Sequence, residues 1–284
     1  MSGMRGWSGP LLALACGVAL VSTAACTGSS EPRTPEEAKA RGLTLLREMS
    51  DTLGKAQAFS FETAEAHTRL KRNGQKVNFE MRQEIALQRP NHFATHITGG
   101  DDRDFLATYD GHAVTLVGNK MKVYASFDAP ATIDQTLDLI DQRYDLPMPV
   151  ADFLYSSPYD SFADPTAKGG WAKRELVGDK SCDELSYQLE SLDINLWIAA
   201  DAPKVPCQIE LTYKAKPGKP TSRLTFSNWN LTATPPAAQF TANVPAGYEK
   251  IPIIERIPKT ELKADASKAM GVTPPPAPAP APKH

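Results

Sequence analysis

Beyond one stretch near its start, the chain offers no apolar run that could span a bilayer, and even that run, residues 11–21, is too short to do so comfortably. An excess of one charge is missing as well. Lys and Arg number 31 against 33 Asp and Glu, a formal charge of −2. That balance supplies no basic field for nucleic acid and no polybasic patch for a membrane surface. The chain has no C-x-x-C pair, which argues against dithiol redox chemistry. It has no G-x-S-x-G nucleophile elbow and no glycine-rich phosphate loop. The five histidines are scattered. His92 and His96 would share one strand face but stand about 13 Å apart, too far for one zinc ion. Asp101, Asp102 and Asp104 lack the Gly and the final Glu of a calcium loop and read as a solvated turn. Asp138 and Asp141 are explained by the wet face of a helix. We therefore expect no catalytic set, no metal and no cofactor.

What is present begins with a leader. Arg5 supplies a positive n-region, residues 11–21 the apolar core, and Ser22, Thr23, Ala24 and Ala25 a small-residue junction before Cys26. Small residues before a cysteine resemble the bacterial lipobox, which implies lipidation of Cys26, testable by palmitate labelling. Thr23 stands where that pattern prefers Leu, and Ala24-Ala25 would also serve ordinary signal peptidase, giving a soluble secreted protein. Thr27 is not the Asp that resembles an inner-membrane retention signal, so in a Gram-negative cell the outer membrane is the default. The expected organisation is a signal peptide over 1–25, a tether over 26–34, one β-rich domain over 35–254 and a tail over 255–284. The tail ends in TPPPAPAPAPKH, a Pro/Ala tract that cannot build a core.

Within the domain, Thr34, Pro35, Glu36 and Glu37 form a helix start, and Leu43, Leu46, Met49 and Leu53 an apolar stripe, with Gly54 as the stop. Six strands should follow before residue 127. Asn73-Gly74 marks a hairpin turn between the first two. Residues 130–144 and 150–155 read as helices, 156–169 as a polar loop and 171–177 as the seventh strand. The stretch 182–232 then alternates apolar and polar side chains through a β-meander, and Phe240 is expected to tuck in near the close of the domain.

Two segments carry a family resemblance. One is Tyr109-Asp110-Gly111-His112, then Val114-Thr115-Leu116 and Lys122-Val123-Tyr124. The other is Asp193-Ile194-Asn195-Leu196-Trp197-Ile198, then Val205-Pro206 and Ile209-Glu210-Leu211. They are similar to motifs of the family catalogued as domain of unknown function 2092, within the LolA/LolB/LppX/RseB-like lipoprotein-carrier superfamily. The resemblance covers roughly residues 35 to 250. It implies a mainly β (α+β) fold: an antiparallel half-open β-barrel of about eleven strands, covered by a few helices, LolA-like. It further implies a non-enzymatic envelope lipoprotein that binds a lipid or acyl chain as carrier or receptor. The alternative is a sensor or protein-interaction module with a filled barrel and an envelope protein partner. No individual ligand residue transfers.

A curved sheet of this size is hard to fill with side chains, and such barrels often leave a cavity. The apolar parity nominates Phe59, Phe61, Phe79, Met81, Phe93 and Ile97 from the first half to line it. Tyr187, Leu189, Ile194, Leu196, Ile209, Leu211 and Tyr213 come from the second. The bland reading of each is ordinary core. Trp197 and Trp229 are either a contact patch or packed against a helix or chain end. Cys182 and Cys207 form an even pair in an oxidising compartment, which favours a disulfide. Strand geometry opposes it: cysteines flanking one strand lie about 9.6 Å apart, and a bridge needs about 7 Å. A bond would require Cys182 to sit in the loop before its strand.

Overall fold

Thirteen-residue strands whose apolar side chains alternate must have one face covered, and here helices cover it. The computed structural model describes residues 31–70, 75–100, 103–144, 148 and 150–255, leaving aside the side chains of residues 69, 70 and 76. The signal segment, Cys26, the Asn73-Gly74 turn, Asp101, Asp102 and the tail from residue 256 lie outside the described residues.

The described strands form one open sheet. The first six are β1 (Ala58–Leu70), β2 (Lys76–Gln88), β3 (His92–Gly99), β4 (Arg103–Tyr109), β5 (Ala113–Gly118) and β6 (Val123–Asp128). After the helical segments come β7 (Lys168–Val177), β8 (Lys180–Gln188), β9 (Leu192–Ala199), β10 (Pro206–Tyr213), β11 (Thr221–Asn230) and β12 (Glu249–Lys250). The order across the sheet is β12-β6-β5-β4-β3-β2-β1-β11-β10-β9-β8-β7. Two antiparallel meanders thus meet along β1 and β11. Their seam is registered from His67 opposite Ser222 to Ser60 opposite Asn230, with one irregularity between Ser60 and Glu62. Asn228, at φ 54°, lies at that bulge.

The expected eleven antiparallel strands are therefore twelve, and one pair is parallel. β12 runs alongside β6, held by Glu249 N–H to the Lys122 carbonyl at 3.0 Å and Ile251 N–H to that of Tyr124 at 2.8 Å. Two residues are too few to leave a periodic signal.

Three helices, a π-helical turn and a 3₁₀ turn lie on the covered face. α1 spans Pro35–Lys55, and Thr34 caps it by accepting from Glu37 N–H. Gly42, Leu45, Leu46, Met49, Ser50 and Leu53 are its buried side, so the stripe includes Leu45, while Leu43 is only half-buried. Gly54 does not stop the helix, which runs on to Lys55. Its lack of a side chain serves another purpose: a Cβ there would meet the Ser156 carbonyl oxygen at 2.5 Å. At the other end, Gly170 of β7 passes so close beneath α1 that a Cβ would strike the Ala38 carbonyl oxygen at 2.4 Å. Gly42 of α1, where a Cβ would lie 3.1 Å from Gly170 Cα, completes this close approach of helix and sheet backbones.

α2 (Ile133–Leu139) is capped by Thr132 and continues as a π-helical turn over Ile140–Tyr144. The expected helix at 150–155 is a 3₁₀ turn, Ala151–Phe153. The expected loop at 156–169 contains α3 (Pro158–Phe162), whose Pro158 and Phe162 are buried. Tertiary contacts create this short helix: Tyr159 N–H donates to Ser50 Oγ of α1 at 3.1 Å, and Phe162 packs on Phe153 at 5.2 Å.

The opposite sheet face is also used. The 3₁₀ turn Ala237–Phe240 seats Phe240, 1% exposed, over Ala86 and Ala94. Trp197 is buried there with Cys182 and Cys207, and its indole N–H donates to Glu175 at 2.8 Å. Cys182 and Cys207 are bonded, with Cα atoms 6.8 Å apart. Cys182 lies inside β8, opposite Ala199, and not in a loop. The ideal-sheet distance fails because the β9–β10 register shifts between Pro206 and Gln208. The bulge sets Cys207 and Gln208 against the single Trp197, turning Cys207 away from the side of Ile209 and toward Cys182.

Candidate functional site

The covered face is filled unequally. Over the Phe61–Trp229 end of the β1–β11 junction it is solid. Phe61 stacks on Trp229 at 4.3 Å and meets Phe226 at 5.7 Å, while Phe153 from the 3₁₀ turn stands edge-on to Phe226 at 4.9 Å. Arg89 ties this end together by donating to the carbonyls of Tyr155, at 2.9 Å, and Leu53, at 3.4 Å. Over β7 and β8, α1 lies flat. Its anchor is Asp183, fully buried, which accepts from Trp171 Nε1 at 2.8 Å, Arg174 Nε at 3.0 Å and Arg41 of α1 at 3.2 Å.

Toward the far ends of β1 to β4 no described helix reaches the sheet, and a cavity of about 1050 Å³ opens. Its apolar wall is Met81 and Ile85 of β2, Phe93 and Ile97 of β3, and Phe105 of β4. Met148, Val150 and Leu154 cross over it. The β10–β11 connection closes another side with Tyr213, Lys216, Pro217 and Pro220. Lys216 Nζ sits 4.1 Å from the centre of the Tyr213 ring. Arg103 is at the margin, its guanidinium donating to Met81 Sδ at 2.6 Å.

A polar band runs through the same cavity. Glu65, His67, Gln83, Thr95 and Ser222 all line it and are all at most 9% exposed. Strand register explains their meeting. Phe59, Phe61, Thr63, Glu65 and His67 share one parity of β1, and His67 lies opposite Ser222 of β11. Gln83 pairs with Ile97, and Ile85 with Thr95. Ser222 Oγ donates to Glu65 Oε1 at 2.8 Å, and His67 Nδ1 is 3.5 Å from the same oxygen. Burial, and then the negative charge of Glu65, push the Tyr213 hydroxyl pKa upward.

Of the thirteen expected cavity residues, Met81, Phe93, Ile97 and Tyr213 line the space. Phe79 instead stacks on His67 at 5.2 Å. Phe59, Phe61, Tyr187, Leu196 and Ile209 are buried core, and Leu189, Ile194 and Leu211 pack half-buried against it. The reason is the cover: helices and aromatic rings fill the face over β7–β9 and over the Phe59–Phe61 end of β1, leaving room at the far ends of β1–β4 and the adjoining ends of β10 and β11. The polar band was missed because Glu65 and His67 do not look like interior residues. Continuing the parity of Phe59 and Phe61 two steps further along β1 finds both.

Trp229 belongs to the core aromatic cluster and Trp197 to the opposite face, each packed. His92 lies against Phe240 at 5.3 Å, and His96 Nε2 meets Asp104 at 2.9 Å. Among the described residues no group of three or more His, Cys, Asp or Glu side chains is placed to hold a metal ion. No described helix is long and apolar enough to cross a membrane.

Residues 43–254 match the family described as Predicted periplasmic protein (DUF2092). No curated protein matches the chain in sequence. Among solved structures, the fold is similar to that of an uncharacterized conserved protein from Thermus thermophilus, at 8% identity and a TM-score of 0.45, over 74% of this chain and 97% of that one. LprF from Mycobacterium bovis gives 12% identity and a TM-score of 0.44, over 70% and 97%. A LolA superfamily protein from Nitrosomonas europaea gives 12% and 0.37, over 71% and 98%.

Proposed function

The chain belongs to the DUF2092 family of predicted periplasmic proteins, and from that premise we propose that it is a non-enzymatic envelope lipoprotein whose half-barrel binds a lipid or lipoprotein acyl chain as carrier or receptor. The observation that carries this reading is the cavity of about 1050 Å³ between the sheet and its cover. It lies at the upper end of the roughly 300–1,000 Å³ typical of small-molecule sites. Five strand side chains and three from the 148–154 segment make an apolar channel, and apolar surface left open inside a domain is costly unless something occupies it. On this reading residues 1–25 are the signal, Cys26 carries the lipid, residues 26–34 are the tether to a membrane, the outer one in a Gram-negative cell, 35–254 the binding domain and 255–284 a tail.

The test is native mass spectrometry of the full chain carrying Cys26→Ser, exported and purified without detergent. A co-purifying hydrophobic ligand is expected, and Ile97→Trp, which fills the apolar wall, should reduce its occupancy. A ligand-free protein that also takes up no added lipid would overturn the carrier reading in favour of an interaction module. Palmitate label on the wild type should be lost in Cys26→Ser, and label that persists would overturn the anchor.

A further inference from the structure

A purely apolar ligand does not account for this cavity. Glu65 is 5% exposed, yet only one of its carboxylate oxygens is used. Oε1 accepts from Ser222 and lies near His67. Oε2 is buried with no hydrogen-bond partner among the described residues, and Thr95 Oγ1, on a side chain 6% exposed, is in the same position. Both residues line the space. Buried polar atoms in folded proteins are almost always paired, so an orphaned carboxylate oxygen on a residue that lines a cavity asks for a donor from outside the chain. Ser222 cannot supply it, because its one proton is already given to Oε1.

We infer that the occupant is an amphiphile whose head group donates hydrogen bonds, a hydroxyl or an amine, to Glu65 Oε2, while its apolar chain lies along Met81, Ile85, Phe93, Ile97 and Phe105. This inference rests on the lipid-binding reading above and narrows its ligand class. An anionic head is disfavoured at this position, since it brings no donor and sets a second negative charge against the first inside a site of low dielectric. A hydroxyl or ammonium completes the carboxylate, and hydrogen bonds to a charged acceptor are the strong ones.

Three amphiphiles of equal chain length separate the possibilities: monopalmitoylglycerol, hexadecylamine and palmitate. Each is titrated against the Cys26→Ser chain by displacement of an uncharged fluorescent naphthylamine probe at pH 7. The diol and the amine should bind about tenfold or more tighter than palmitate, the size of one charge-assisted hydrogen bond. Glu65→Leu should erase that preference. Glu65→Gln preserves size and an acceptor oxygen but removes the charge and adds an N–H donor; it should cost the amine its advantage and shrink the diol's, which rests on the same charge-assisted bond. Equal binding of all three to the unsubstituted site, or a preference unchanged in both variants, overturns the head-group inference and leaves lipid binding standing. Failure of every C16 probe to bind overturns the lipid-binding reading itself.

Discussion

Asp183→Ala should loosen the helix that covers half the sheet. The carboxylate is the point where α1, β7 and β8 meet, and its side chain is 1% exposed. Substitution leaves the Arg41 and Arg174 guanidinium groups and the Trp171 indole N–H without their acceptor. Removing one partner of a buried ion pair costs about 3–5 kcal/mol. Arg174 is 44% exposed and can rehydrate, whereas Arg41 is 17% exposed and packed over the Trp171 ring at 4.2 Å. The loss should therefore fall near the lower end, about 3 kcal/mol. With a urea dependence of about 3 kcal/mol per molar, the unfolding midpoint should drop by about 1 M. Tryptophan fluorescence at pH 7, with the disulfide intact, reads it out. Lys173, 57% exposed and paired with Glu175, is the control; Lys173→Ala should leave the urea midpoint nearly unchanged.

The same perturbation has a pH signature. Burial pushes the Asp183 pKa up, but hydrogen bonds from Arg174 and Trp171 and the charges of Arg174 and Arg41 outweigh it and hold the carboxyl below its usual range. A carboxylate whose folded pKa is depressed stabilises the fold above its unfolded pKa, about 3.9, and loses that contribution as pH falls through the folded value. The gap between wild type and Asp183→Ala should thus be constant near neutrality and close below about pH 4. A midpoint shift at pH 7 under about 0.3 M, or a gap that persists unchanged into acid, would refute the reasoning.

Cys182→Ala with Cys207→Ala opens a loop of sequence separation 25; chain entropy puts the loss at about 3.5 kcal/mol, measurable as a lowered urea midpoint without reductant. Phe61→Ala, at a position 2% exposed and stacked on Trp229, should cost about 3–5 kcal/mol, and a loss below about 1 kcal/mol would mean the aromatic cluster is not packed as described. Tyr187 is raised to about 12 by burial, and its hydroxyl has no partner among the described residues. Its raised pKa contributes stability that is complete below the unfolded value of about 10 and is lost as pH climbs toward the folded one. Tyr187→Phe should therefore be neutral or slightly stabilising at pH 7 and should flatten the alkaline part of the stability profile, followed by circular dichroism.

Local chemistry was enough for most of the elements and for the family. Thr34 with Pro35 started α1, alternation placed the first eleven strands, and the segments at 109–124 and 193–211 pointed to the family that residues 43–254 match. These features depend on near neighbours in the chain, since caps, turns and strand parity are properties of a few consecutive residues. The sequence misled where neighbours came from elsewhere. Gly54 read as a stop but accommodates the Ser156 carbonyl, and α3 exists because α1 offers Ser50 and the core accepts Phe162. Cys182 and Cys207 needed a bulge that no local pattern announced.

Which apolar residues face a cavity was beyond the sequence for the same reason. Parity assigns a side chain to a face, and it assigned Phe61 and Ile97 to the covered face equally well. Only the tertiary structure decided that aromatic rings and helices fill the space beside Phe61, while the space beside Ile97 is open and crossed by Glu65 and Thr95. Occupancy of a face is set by what the opposite layer delivers to it, and that layer comes from residues far away along the chain.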